Sequence, residues 1–169
     1  MINVTSRTGL AIVITVLCSV SGQVNACSLM PLLEPFEANH TEAIAPVKPN
    51  FKVAGIERGS DDGNLGSCSD FGFITFKLSG NYPPQGYIFE RVSGEFEDRL
   101  FEPVAVKPSK FVDDNASFTF AWLDGSSNEQ EPIDFTVSIV AVNMAGERSE
   151  PQYLKVRHPG VASPWWKFW

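Results

Sequence analysis

The chain predicts an all-β fold, an antiparallel Greek-key β-sandwich of about seven strands. Three observations carry that expectation. Short runs of alternating apolar and polar residues recur between residues 51 and 158. Turn-forming Gly, Pro, Asn and Asp separate them at near-regular intervals. No stretch carries a convincing apolar repeat of helical period, so sheets must bury the core.

The elements follow in order. "FKVAGI" (51–56) is the first strand, and the loop "ERGSDDGNLGSCSD" (57–70) follows it. "FGFITFKLSG" (71–80) places Ile74, Phe76 and Leu78 on one face, with Phe71, Phe73, Thr75 and Lys77 on the other. After "NYPPQG", "YIFERVSG" (87–94) alternates again. "DRLFEPVAVKP" (98–108) reads as a weaker strand interrupted by Pro103, which places it at a sheet edge. "ASFTFAWLDG" (116–125) sets Phe118, Phe120 and Trp122 in step. "DFTVSIVAVN" (134–143), the turn "MAGERSEP" and "QYLKVRHP" (152–159) complete the series. In the stretch 134–143, Phe135, Val137, Ile139 and Ala141 fall on the core face, and Asn143 and Gly146 suit a turn that visits positive φ.

The stretch from Phe135 to Pro151, "FTVSIVAVNMAGERSEP", has the pattern aromatic-x-V-x-V-x-A-x-N-x-x-G. It resembles strand F and the F–G turn of fibronectin type III domains, within the wider immunoglobulin-like class. "PVKPNFKV" resembles their lead-in to strand A, "GYIFERVSG" their strand C, and "SFTFAWLDG" their strand E. The likeness covers about residues 46–158 and implies that binding uses loops at one end or a sheet edge. This sequence departs from the pattern in two places. Phe76 stands where a core Trp is usual, and Phe135 stands where a Tyr hydroxyl ties the E–F corner.

The chain ends read differently from its middle. Arg7, the apolar run "LAIVITVLCSV" (10–20) and the exit "SGQVNA" follow the order of a secretory signal peptide, predicting cleavage after Ala26. The apolar run is too short to span a bilayer, which takes about 20 residues. The expected organisation is a signal peptide at 1–26, a proline-containing tether at 27–45, the sandwich at 46–158 and an aromatic tail at 159–169. Once Arg7 is removed, 12 basic side chains face 20 acidic ones, a net charge of −8. So acidic a chain, with no basic cluster, does not bind nucleic acid. Of the cysteines, Cys27 and Cys68 remain after cleavage. Either they bridge, as exported cysteines do, or "VNAC" acts as a lipobox-like signal of bacterial type and Cys27 carries lipid.

No catalytic set assembles. His40 and His158 lack ligands at metal spacing, and no nucleophile elbow or phosphate-binding glycine loop occurs. "DDGN" (61–64) fails the calcium-loop pattern, and Asp113 and Asp114 read as solvated turn acids. No cofactor, metal or catalytic residue is therefore expected. The candidate partner contacts are Met144, Glu147 and Arg148 in the F–G turn, and Trp165, Trp166, Phe168 and Trp169 in the tail "SPWWKFW". Either the tail folds back and covers apolar surface on its own sandwich, or its aromatic residues beside Lys167 meet a protein interface or a membrane surface. The expected function is a non-enzymatic, exported module at a bacterial envelope that binds an unidentified protein, with membrane association through a Cys27 lipid or the tail. It would be periplasmic, anchored to the outer membrane, or extracellular. The alternatives are a lipid-anchored scaffold, or an enzyme inhibitor acting through Asp61, Asp62 and Asn64.

Overall fold

The computed structural model describes residues 33–39, 44–60, 62–64, 67–80, 83–96, 99–112, 115–124 and 130–160. The expected signal segment, Cys27, His40, Asp61, Asp113, Asp114 and the tail contacts Trp165, Trp166, Phe168 and Trp169 lie outside the described residues.

Among the described residues the fold is all-β. β1 (Phe51–Glu57), β2 (Phe71–Ser79), β5 (Asn115–Leu123) and β4 (Lys110–Val112) form one sheet, in that spatial order. β3 (Gln85–Glu95), β6 (Ile133–Asn143) and β7 (Gln152–His158) form the other. Every pairing is antiparallel. One 3-10 turn, Cys68–Asp70, precedes β2 and is capped by Ser67, whose hydroxyl accepts from the Ser69 N–H while its own N–H donates to Asp70. Cys68 within it is disulfide-bonded.

The two sheets pack face to face because each strand turns its apolar set inward. β2 buries Ile74, Phe76 and Leu78, and β6 buries Phe135, Val137, Ile139 and Ala141. In β1 the pairing shifts between Val53 and Gly55, so the inward set changes from Phe51 and Val53 to Ile56. β3 shifts similarly between Arg91 and Ser93. Beyond that irregularity Gly94 takes φ +83°, where a Cβ would stand 2.3 Å from the Asp134 carbonyl oxygen. Only glycine fits both the dihedral and the space. Phe89, 2% exposed, occupies the centre. Its ring centroid lies 5.4 Å from Phe51, 5.4 Å from Phe76, 5.5 Å from Phe118 and 4.9 Å from Phe120. It thus interleaves the two sheets with edge and tilted contacts.

Two expectations differ from the structure. Residues 99–108 form no strand; Phe101 turns its ring against Phe120 and Phe89 instead. Only the neighbourhood of Val106 pairs, exchanging backbone bonds of 3.0 and 2.9 Å with Tyr87. Pro103 removes a donor from this stretch, and the inward pull on Phe101 breaks its alternation. The seventh strand is β4, which the sequence reading missed because three residues carry no period. Part of the expected tether is also built in. The Phe36 N–H donates to Ala105 and the Lys107 N–H to Glu34, each at 2.7 Å, adding residues 34–36 beside Val106.

The corner after β5 is held by charge. Arg58 donates to both Asp124 carboxylate oxygens at 2.8 Å, and the Gly59 N–H and Trp122 indole donate to the same group. Arg58 and Asp124 side chains are 10% and 4% exposed. Burial alone would push the Asp124 carboxyl up; the hydrogen bonds from Arg58, Gly59 and Trp122 and the Arg58 charge outweigh it, so its pKa is lowered.

Replacing Phe89 by Ala is expected to cost about 3–5 kcal/mol, read as a lower denaturant midpoint with an unchanged slope. A second expectation concerns acid. Because the folded pKa of Asp124 is depressed, its contribution is complete above the unfolded value of about 3.9 and is lost as pH falls through the lower folded value. Asp124→Asn should lower stability at neutral pH and make it fall less steeply in acid; denaturant titrations at several pH values check this.

Candidate functional site

The turn after β6 is organised by one buried amide. Asn143, 1% exposed, ends β6. Its Oδ1 accepts from the N–H groups of Ala145 and Glu147 at 3.0 and 2.9 Å. Its Nδ2 donates to the Ile44 carbonyl at 3.0 Å and to the Glu147 carboxylate at 2.7 Å. Both donors and both lone-pair directions are therefore used. Gly146 supplies the positive φ of +82°, while Asn143 acts through its side chain. The Val47 N–H donates to Gln85, so residues 44–47 strap this end of the sandwich.

That geometry sorts the expected turn contacts. Met144 is half-buried. The Glu147 carboxylate is engaged by Asn143 within the turn. Arg148 is exposed and pairs at backbone level with Val142, next to the sheet. Arg148 also lines a concave feature that the sequence reading did not find.

That feature is a cavity of about 340 Å³ beside β3, lined among others by Ile88, Arg91, Phe96, Arg99, Leu100 and Arg148. Half of the chain's six arginines surround it, although the chain carries a net charge of −7. The Arg91 guanidinium donates to the Phe96 carbonyl at 2.7 Å, which fixes the loop that follows β3. Arg99 pairs with Glu102 at 3.3 Å on the exposed side. The edge of β3 also faces this space. Tyr87 gives its N–H and C=O to Val106, so Phe89, two residues on, points its backbone groups to the same side. Among the described residues that edge is paired only at Tyr87. A second cavity of about 530 Å³ shares Arg91 and Phe96 with the first and extends past Gly94 and Glu95 to Glu131 and Pro132. Together they make a groove with aromatic and apolar walls, guanidinium and carboxylate groups, and a strand edge paired, among the described residues, only at Tyr87. Such a groove suits an extended peptide carrying aromatic side chains. The clue in the sequence was "ERVSGEFEDRLF", in which arginines and phenylalanines alternate with acids. Its two ends read as parts of separate strands, 87–94 and 98–108, and only folding brings Arg148 to the same place.

The other expected positions lie apart from the groove. Asp62 sits in the 57–70 loop, its pKa lowered chiefly by the Asn64 N–H, which donates to it at 2.9 Å. His158 ends β7 and accepts from the Gly160 N–H. Among the described residues no group of three His, Cys, Asp or Glu could hold a metal, and no helix is long and apolar enough to cross a membrane.

Asn143→Asp removes both donors and sets a carboxylate against Glu147. The expected result is a lower melting temperature at neutral pH, equivalent to about 2–4 kcal/mol, with the gap to wild type narrowing as pH falls towards the carboxylate range. Thermal unfolding at two pH values measures both effects. No family model, curated protein or solved structure matches this chain.

Proposed function

We propose that this protein is an exported, non-enzymatic binding module with an immunoglobulin-like or fibronectin III-like Greek-key sandwich, which takes a protein partner in the groove beside β3. The observation that carries the reading is the groove itself, where arginines and aromatic side chains flank a strand edge paired only at one end among the described residues. The fold reading is supported by the strand orders β1-β2-β5-β4 and β3-β6-β7. These correspond to the A-B-E-D and C-F-G sheets of constant-type immunoglobulin domains. Export to an oxidising compartment is supported by the disulfide at Cys68. Its partner lies outside the described residues, and Cys27 is the partner proposed, since Cys18 belongs to the expected signal segment. A bridged Cys27 has no thiol to carry lipid, so this reading favours a released module over a lipid-anchored scaffold.

The groove is tested by capture from cell-envelope extract with wild type, Arg91→Ala and Leu100→Glu. A protein retained by wild type and lost from both variants supports the reading; identical captured sets from all three sink it. Intact mass of the purified protein tests the bridge, because a disulfide removes two hydrogens whereas acylation adds the mass of the chains.

A further inference from the structure

We infer that the resting occupant of the groove is this chain's own aromatic tail, residues 161–169. The inference rests on the reading of the groove as a binding surface and adds what fills it.

The first support is where the described chain stops. β7 runs antiparallel to β6, with His158 opposite Ile133. Two residues later Gly160 turns at φ +82°, and a Cβ there would lie 2.4 Å from the Gln130 carbonyl oxygen and 2.9 Å from the Pro132 nitrogen. Gly160, the last described residue, therefore lies beside Glu131 and Pro132. Those two residues form one end of the larger cavity, whose other end shares Arg91 and Phe96 with the smaller one. The last described residue before the tail thus adjoins the lining of that cavity.

The second support is reach. Nine residues follow Gly160; fully extended they cover about 30 Å, and Trp165 stands up to about 17 Å along the chain. The third is chemistry. The tail offers Trp165, Trp166, Phe168 and Trp169 around a single cation, Lys167. The groove offers Arg91 and Arg99, whose planar guanidinium groups stack on indole faces, with Phe96 and Leu100 as apolar walls. Glu95 and Glu131 supply carboxylates for Lys167. The Phe89 backbone groups on the β3 edge can bind the tail as an added strand.

Tethering decides between occupants. A segment joined by a short linker faces the groove at an effective concentration near the millimolar range, which a free peptide of the same chemistry does not reach in dilute solution. A partner must therefore displace the tail or bind where the tail has left.

The test uses the purified protein labelled with fluorotryptophan, its tail resonances assigned by Trp165→Phe, Trp166→Phe and Trp169→Phe. Fluorine NMR and acrylamide quenching are then read on wild type, Arg91→Ala and Leu100→Glu. The expected result is tail indoles shielded from solvent independently of protein concentration, with a docked-to-free ratio about tenfold lower in Leu100→Glu, the effect of losing one buried apolar contact. Arg91→Ala should shift the same resonances in the same direction. Truncation after Gly160 and Leu100→Glu should also destabilise less in combination than the two separate losses together. The inference is overturned if the tail indoles are as accessible as in a synthetic 161–169 peptide. It is overturned too if shielding grows with protein concentration, which marks a second copy, or appears only with anionic lipid vesicles. If the tail is free while envelope capture still depends on Arg91 and Leu100, the inference falls and the binding-module reading stands.

Discussion

The interleaving of phenylalanines at Phe89 is the contact on which the rest of this structure depends. Phe89 comes from β3, yet its ring reaches Phe51 of β1, Phe76 of β2, and Phe118 and Phe120 of β5. Neither sheet could bury its inward face without the other, because an isolated antiparallel sheet leaves that face to water. Large flat rings fill the space between sheets at little cost in rotamer entropy, and their edge-to-face geometry fixes how the sheets sit on one another. Phe101 belongs to the same cluster, although it comes from an irregular segment. Core packing therefore shapes the wall of the groove, since the turn of Phe101 towards the centre carries Arg99 and Leu100 to the groove's rim.

Polar groups define the two ends of the packed sheets. At one end Arg58 and Asp124 are buried together, with their charges matched and their hydrogen bonds satisfied by Gly59 and Trp122. A buried carboxylate is tolerable only on those terms. It also closes the corner after β5. At the other end Asn143 links the β6–β7 turn to Ile44. That bond joins the N-terminal segment to the part of the surface where partner contact was expected from sequence. Glu147 is thereby a structural member of its turn, while Arg148 pairs with Val142 through its backbone and lines the groove.

The groove draws its residues from three separate places: β3 and the loop after it, the start of β6, and the β6–β7 turn. Arg91 belongs to both cavities, and its bond to the Phe96 carbonyl ties Phe96 back to the strand. A chain of strongly acidic composition thus presents an aromatic recess in which Arg91, Arg99 and Arg148 stand among Glu90, Glu95 and Glu131. Gly160, which the most aromatic segment of the sequence follows, lies beside Glu131 and Pro132 of its lining.

Much of the fold was legible in the sequence, because alternation has a period of two and burial follows it. The alternation of β2 and β5 was readable residue by residue, and in β6 the inward set as well, with Phe135, Val137, Ile139 and Ala141 buried as expected. Gly146 was readable as a turn glycine because only its dihedral mattered. What the sequence did not reveal was set by long-range contact. β4 is too short to carry a pattern, and residues 99–108 lost their apparent strand to the pull of Phe101. The groove stayed hidden because Arg91 and Arg148 lie far apart along the chain. By itself the sequence determined which residues face inward and where the chain turns, since both are local properties of neighbouring side chains. Only the tertiary structure decided which strand edge stays unpaired and which arginines share a cavity, because each depends on how two sheets meet.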